Sequence, residues 1–508
     1  MNICIIVHNN GTRDGRVMRE AHTLRGAGHA VTVVGIPESG ATKAEEVLID
    51  GIKVIRVAWD SKRRVLVSSV PNLLAFVVIC CFAAYGFYRL GRMLVQSSPT
   101  DVFYLFLVLI VLGCAGHLAI RFALHRAARR ANEEETLRRR IICEGNSAAS
   151  VAHFPAIRSR IPGWIPDWML GVAAEPFGWI GAKLPRFSVY RYRSRQLASA
   201  AAETRPDVVH CHDCSALPTG WVVKKRLKVP LVYDAHEIYE AVAARRFGAT
   251  DYFARVHEKY LPRIDGFVAV NDSAAAYYRH AFPDAPRAVV IRNATERVVL
   301  GSYDGRLHRV AELPSTEKIL LYQGGFTNHR GLQTLVRSAG LLPNGWSLVM
   351  MGWGPLTDEL KRIAQQDNDG RKARFIPPAA SAELPSWTQG ATVGIVPYED
   401  TVLNHWIATP NKLWEYPNAG VPMIVQPYPE MRRIVEGYRC GWVLPQPFSA
   451  AAIAGLVSSL SEAMLDEARA GCRRFIEQDN WSALYRPRLL ALYERLGAAQ
   501  KTPIRVAN

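Results

Sequence analysis

Six short stretches of this 508-residue chain gather side chains and glycines that can hold phosphate, grip hydroxyl groups or pass a proton. The richest is LYQGGFTNHRGLQTLV, where an apolar strand runs into Gly324 and Gly325, a turn carrying Arg330, and then a helix. Backbone amides beside a guanidinium make a receptor for a diphosphate and can stabilise a departing phosphate oxygen. GWGP, Gly352 to Pro355, repeats the strand–glycine–helix arrangement. TPNKLWEYPNAGVPMIV sets Lys412 and Glu415 at a helix start, ahead of a glycine turn into a strand. A carboxylate there is placed to accept two hydrogen bonds from a ribose diol. Equally, it can be a first-turn glutamate stabilised by the helix dipole.

Three stretches lie earlier in the chain. Gly11-Thr12-Arg13-Asp14-Gly15 follows the first strand and opens a helix, so its free amides and positive dipole end suit phosphate or an anionic intermediate. It lacks the GxGxxG dinucleotide fingerprint. In HCHDC, strand alternation puts His210 and His212 on one face, with Cys211 and Asp213 on the other. No second ligand pair stands at zinc-site spacing, so a metal is not expected. His212, at the strand end, is expected to point into a cleft, where it can bond a sugar hydroxyl or handle a proton near neutral pH. Structural use of either histidine is the alternative. Tyr233-Asp234-Ala235-His236-Glu237 ends another strand with a polar cluster suited to a cleft, unless Asp234 merely caps the next helix.

The elements that carry these groups alternate. ICIIV, REAHTLRGAGH and AVTVVGI read as strand, helix and strand. The helix ends at a glycine and the second strand is nearly all apolar, as in a parallel sheet covered on both faces. KVIRVAW supplies another strand. The pattern resumes at PDVVHCHD, PLVYDAHE and GFVAVND. A second block opens near Ile319 with ILLYQGG, WSLVMMGWG, ARFIP, TVGIVPY and VPMIVQP. Two α/β halves of similar size predict two doubly wound domains facing a cleft, with ligands outside the carboxyl ends of the strands.

Two uncharged apolar runs interrupt the first half: VLVSSVPNLLAFVVICCFAAYGFY from Val65 and VFYLFLVLIVLGCAGHLAI from Val102. Each is close to the roughly 20 residues a helix needs to cross a bilayer. Joined by RLGRMLVQSSPTD, they predict a transmembrane helical hairpin, 65–88 and 102–122, that satisfies its backbone hydrogen bonds internally. A hairpin lying in one leaflet or packed on the protein is the alternative. Lys62, Arg63 and Arg64 precede it, and Arg121, Arg126, Arg129 and Arg130 follow; the turn carries only Arg89 and Arg92. The positive-inside rule then places the soluble parts on the cytoplasmic side of a plasma (inner) membrane, with the hairpin making the chain multi-pass.

Charge and cysteine content narrow the partners. The 62 Lys and Arg against 45 Asp and Glu give a net +17, with basic residues flanking the apolar runs. That suits anionic lipid and phosphorylated substrates, and nucleic acid is not expected. Trp164, Trp168 and Trp179 beside basic residues resemble an interfacial anchor, or else the aromatics of a core helix. Nine scattered cysteines, with Cys80 and Cys81 inside an apolar run, argue for reduced thiols. MNICIIVHNN reads as a strand, its apolar stretch too short for a signal peptide.

The ordered set DGRVMREAHTLRGAGHAVTVV, DVVHCHD, LVYDAHE, LYQGGFTNHRGL, GWGP and PNKLWEYPNAGVP resembles the retaining glycosyltransferases of family 4. The likeness covers nearly the whole chain except the hairpin and the Trp-rich patch. It implies an α/β GT-B fold: two Rossmann-like doubly wound domains facing a cleft, here with a transmembrane hairpin inserted in the N-terminal domain. Residues 1–60 and 191–300 would form that domain, on the acceptor side, around an insertion at 61–190. Residues 301–480 would bind the nucleotide sugar, and 481–508 would be a helix and tail, the helix returning to the N-terminal domain.

The resemblance also assigns roles. It implies a nucleotide sugar as co-substrate, no cofactor and no metal. Glu415 would bind the ribose, Arg330 the diphosphate, and His212 would approach the transferred sugar. His212, Arg330 and Glu415 are thus the expected catalytic residues. Gly324, Gly325, Arg330, Gly352, Gly354, Lys412 and Glu415 are expected to bind the donor, and Gly11, Asp14, Arg16 and Glu237 to line the acceptor or phosphate side. The family often carries two glutamates separated by seven residues; Ile407 stands where the first would be. A lipid-linked acceptor and an anionic membrane are the expected partners. A membrane-tethered non-catalytic subunit and a nucleotide-sugar epimerase of the same fold are the rival readings.

Overall fold

The computed structural model describes residues 1–37, 44–57, 194–242, 249–368 and 372–501. The expected hairpin, 65–88 and 102–122, and the Trp-rich patch lie outside the described residues. Among the described residues no helix is long and apolar enough to cross a membrane.

The first half builds β1 (Asn2–Ile6), β2 (Ala30–Gly35), β3 (Glu45–Val47), β4 (Lys53–Arg56), β5 (Val208–His212), β6 (Leu231–Ala235), β7 (Gly266–Ala269) and β8 (Val289–Val290). They form one sheet in the order β3-β4-β2-β1-β5-β6-β7-β8. All neighbours run parallel except β3 with β4. Parallel strands covered on both faces need apolar side chains on both, which is why β5 and β6 are buried throughout their length. The chain winds outward in both directions from β1, with β2 on one side and β5 on the other. A crevice therefore opens beyond the carboxyl ends of β1 and β5.

The second half builds β9 (Lys318–Gln323), β10 (Trp346–Met351), β11 (Ala373–Ile376), β12 (Val393–Val396), β13 (Met423–Val425) and β14 (Gly441–Val443). Their order, β11-β10-β9-β12-β13-β14, is parallel throughout. The winding reverses at β9, between β10 and β12, so its crevice lies beyond Gln323.

After the helix Glu462–Gln478 the chain leaves the second lobe through a short π-helical turn, Trp481–Tyr485, and the helix Arg486–Lys501 packs on the first sheet. Asp479 holds the crossing: Trp414 Nε1 donates to its Oδ1 at 3.0 Å, Tyr485 Oη at 2.6 Å, and Arg292 Nη1 donates to Oδ2 at 3.1 Å. Farther along, Trp481 Nε1 donates to Thr23 Oγ1 at 2.8 Å, and Tyr493 Oη stands 2.9 Å from His210 Nδ1. One apolar core runs from the first sheet through Trp481 and Trp414 to one face of the second. A separate core, including Leu320, Leu348, Leu360 and Ile453, covers its other face.

Candidate active site

The strand ends of the second lobe form a cradle. The helix Lys412–Asn418 is pinned to the sheet by Tyr416, whose Oη donates to Leu321 O at 2.9 Å. Its first turn therefore stands over the end of β9. Thr388 Oγ1 donates to Gln323 Oε1 at 2.8 Å, which orients the amide so that Nε2 donates to Glu415 Oε2 at 2.8 Å. Glu415 is thus held by one oxygen, with the other unbonded among the described residues.

Two cations share this place. The Arg330 guanidinium carbon lies 3.9 Å from the centre of the Tyr398 ring, and Lys412 Nζ lies 5.1 Å from that of Tyr322 and 5.9 Å from that of Tyr398. Aromatic faces attract cations and hold them without neutralising them. Burial works against the Lys412 charge, but Tyr398, Tyr322 and Glu415 outweigh it, so its pKa lies above the ordinary lysine value.

The glycines make room for this arrangement. Gly324 has φ +125°, and a Cβ there would stand 2.9 Å from Lys412 Nζ; Gly352, at φ +154°, would drive a Cβ to 2.0 Å from Gly324 O. Gly324 N donates to Met351 O and Phe326 N to Trp353 O, both at 2.9 Å, locking the two glycine loops together. Gly352 N donates to Ile376 O at 3.1 Å, and Gly354 N to Thr357 Oγ1 at 3.0 Å. Both Gly324 and Gly325 are exposed.

The first lobe meets this cradle directly. Ile238 N donates to Asn404 Oδ1 at 2.8 Å, and Asn404 Nδ2 returns a bond to Ile238 O at 2.9 Å. Asn271 Nδ2 donates to Ile407 O at 2.8 Å, and Glu430 Oε1 accepts from Ser273 N at 2.9 Å and Ser273 Oγ at 2.6 Å. Glu237 is exposed. Partial loss of hydration, then Asp213, pushes its carboxyl up, while His236 and Arg330 oppose the shift. Across the same gap Arg19 feels Glu415: burial and Arg16 lower the Arg19 pKa, and Glu20, Glu296 and Glu415 resist.

A buried polar cluster lies in the first lobe, built on strand register and one helix. His212 and Asp234 are register partners on β5 and β6. The helix Gly15–Gly26 begins at Asp14, whose side chain accepts from the amides of Arg16 and Val17, and it buries Arg16, Val17, Glu20, Ala21 and Leu24 along one face. Arg16 Nε donates to Asp234 Oδ2 at 2.6 Å and Nη2 to Oδ1 at 2.9 Å, while Nη1 reaches Ile291 O at 2.8 Å. His212 Nδ1 stands 3.0 Å from His236 Nε2 and 3.3 Å from Asp234 Oδ2. His236 Nδ1 stands 3.2 Å from Asp213 Oδ1, which also accepts from Tyr239 Oη.

Burial opposes ionisation of Asp234, but Arg16, then His236, hold it well below the usual carboxylate range. Burial lowers His236 less than Asp213 and Asp234 raise it, and it rises to about 9. Burial, then Asp234, raises Glu20; burial, then His212, lowers His210; and burial lowers His212 against the pull of Asp234.

Comparison with known proteins agrees with this architecture. Residues 151–297 match the family model for Glycosyltransferase Family 4, and residues 305–478 the one for Glycosyl transferases group 1. Both halves carry glycosyltransferase domains. A D-inositol 3-phosphate glycosyltransferase of Mycobacterium tuberculosis is 26% identical over 203 residues, covering 38% of this chain and 42% of the relative. The chain thus spans less than half the length of the curated relatives it matches.

Among solved structures, a sucrose-phosphate synthase from Thermosynechococcus elongatus superposes with a TM-score of 0.62 at 15% identity, covering 98% of this chain and 100% of that one. A trehalose-6-phosphate structure from E. coli, bound with UDP-2-fluoro glucose, gives 0.59 at 11% identity, covering 98% and 99%. At such identities the likeness shows the fold, an α/β GT-B-like arrangement with two parallel sheets.

In these glycosyltransferase domains Arg330, Lys412, Glu415, Gly324, Gly325, Gly352 and Gly354 come together at the ends of β9 and β10. Gly324 supplies space there and spends its amide on Met351, which corrects the expectation that its N–H is free for a diphosphate. Two further expectations are corrected. His212 does not point into the cleft: it is fully buried, and His236 stands on its solvent side with 17% of its side chain exposed. Arg16 does not line the acceptor side, because it is buried and spent on Asp234.

Asp14 caps a helix and Gly11 turns the loop before it, at φ +79°. Ile407 is buried in the core, and its carbonyl takes a bond from the other lobe. Sequence reasoning missed Gln323, Tyr398, Glu20 and Asp213. Gln323 adjoins the marked Gly324, and Tyr398 ends the expected strand TVGIVPY, both at strand ends where polar groups signal a site. Glu20 had only its helical spacing to betray it.

Proposed function

We propose that this chain is a retaining glycosyltransferase, anchored in the plasma (inner) membrane by the 65–122 hairpin, with its soluble lobes on the cytoplasmic side. It would move a sugar from a nucleotide sugar to a lipid-linked acceptor. The observation that carries this reading is the convergence of Arg330, Lys412 and a Gln323-held Glu415 on the exposed Gly324–Gly325 turn. Two cations beside an open backbone turn suit a diphosphate, and a carboxylate with one oxygen unbonded suits a ribose diol. Those cations supply positive charge to the diphosphate, so the reading needs no metal at that position.

In the transfer, the acceptor hydroxyl oxygen bonds to the anomeric carbon as the bond from that carbon to the diphosphate oxygen breaks. The diphosphate leaves with the electron pair. The hydroxyl proton passes to it on the same face of the sugar, so configuration is retained. Arg330 and Lys412 stabilise the charge that develops on the leaving oxygen. Glu237, which feels both His236 and Arg330, is assigned in this reading to the side from which the acceptor hydroxyl approaches. The basic flanks of the hairpin would draw phosphorylated lipid toward that opening.

The test is a screen of nucleotide sugars with the purified full chain and membrane lipid extract, scored by which sugar labels which lipid. Labelling of a lipid by one donor class supports the reading. Donor turnover without any acceptor would favour an epimerase, and absence of turnover with every donor and extract would overturn the assignment.

A further inference from the structure

One group of polar atoms lies outside the cradle at the ends of β9 and β10. In the first lobe Oε1 and Oε2 of Glu20, Nε2 of His210 and Nε2 of His212 are buried with no hydrogen-bond partner among the described residues. All three side chains are fully buried. One ligand atom from each, together with one from Asp234, falls within 4.8 Å of the others. A buried carboxylate lacking hydrogen bonds is costly, and native proteins satisfy such a group with water or an ion. The nearest cation is Arg16, whose Nε stands 3.6 Å from Glu20 Oε1 but is bonded to Asp234.

We propose that Glu20, His210 and His212 bind a divalent transition-metal ion, zinc by ligand type, in the interior of the N-terminal lobe. Residues two apart on a strand present their side chains on one face, and the His210 and His212 rings lie stacked with centres 4.4 Å apart. The helix Gly15–Gly26 brings Glu20 over them, with Oε2 3.8 Å from His210 Nδ1 and 3.9 Å from His212 Nε2. Two imidazoles and a carboxylate are a ligand set suited to zinc and its first-row neighbours.

The surroundings fit as well. A metal-binding histidine usually bonds a second protein group through its other ring nitrogen, which fixes the ring. His212 has His236 and Asp234 at Nδ1, while its Nε2 faces Glu20; His210 turns toward Glu20 the Nδ1 that also lies 2.9 Å from Tyr493 Oη. Asp234 is clamped bidentately by Arg16, so it serves as that second partner rather than as a ligand. An ion here would tie the first helix to β5. It lies in the sheet interior, apart from the Arg330–Lys412 cradle.

The full chain, purified without metal-affinity steps and exhaustively desalted, should carry about one zinc or other first-row metal by elemental analysis. Glu20→Gln and His212→Gln should lose it, while Tyr493→Phe, outside the ligand set, should keep it. Because the ligand variants could fail to fold, the natural chain stripped by a chelator is also titrated with Co²⁺. A visible absorption band saturating near one equivalent supports the site. Natural chain free of metal, whose stripped form takes up neither Zn²⁺ nor Co²⁺, overturns it. So does full metal retention in the folded Glu20→Gln, His212→Gln double variant. Metal content is read independently of sugar transfer, so neither result bears on the transferase reading.

Discussion

At the residue scale, the proposed transfer rests on two side chains from separate segments, and each can be probed alone. Arg330 rests over the Tyr398 ring, 3.9 Å from its centre, so its guanidinium is partly pre-oriented and less entropy is lost when it meets a charged oxygen. Arg330→Ala should lower kcat by about 10²- to 10³-fold, the scale of losing one preorganised donor to a developing anion. Steady-state kinetics with near-normal kcat would sink the assignment. In the proposed reading Glu415 acts differently, because a ribose contact would be made equally in ground and transition states. Gln323→Leu, which removes the bond that orients Glu415, should therefore raise the donor KM several-fold and leave kcat within about a factor of three. A loss confined to kcat would mean that Glu415 takes part in the chemistry rather than in holding the donor.

Helices and strands show why the two lobes meet as they do. Glu430 opens the helix Pro429–Tyr438 in one lobe yet accepts two bonds from Ser273, at the start of the helix Asp272–Ala281 in the other. Arg292 and Arg433 also reach its second oxygen. Glu430→Ala should cost about 1–3 kcal/mol, the price of leaving the buried Ser273 donors unpaired, and thermal unfolding should show a lower midpoint. An unchanged midpoint would show that the clasp is dispensable.

Much of this level was legible beforehand. Alternating apolar strands and glycine-ended helices mark local periodicity, and β1, β2, β5, β6 and β9 to β13 fall where that periodicity places them. Glu20 was not legible. It sits on the buried stripe of an amphipathic helix at a position where spacing predicts an apolar residue, and spacing is blind to a partner on a distant strand.

For the whole molecule, the proposed hairpin calls for a test of what the apolar runs from Val65 and Val102 do beside two α/β lobes. If the hairpin brings the acceptor, deleting residues 65–130 from a chain that still folds should leave transfer to a soluble acceptor within a few-fold. Transfer to the lipid-borne acceptor should then collapse. Equal retention of both activities, in assays with detergent-solubilised lipid, would make the hairpin a tether only.

By itself the chain's order of residues determined the alternation of elements, the glycine turns at the strand ends and the placing of Arg330, Lys412 and Glu415 each at a turn or helix start, because each of these depends on neighbours a few positions away. Only the tertiary structure decided that Arg16 is bound to Asp234, that His236 screens His212 from solvent, and that Glu20 lies against a histidine pair. Those outcomes depend on which strands become neighbours and which helix covers them. Burial then changes what an ionisable group can do, since a charge removed from water must find its partner within the fold.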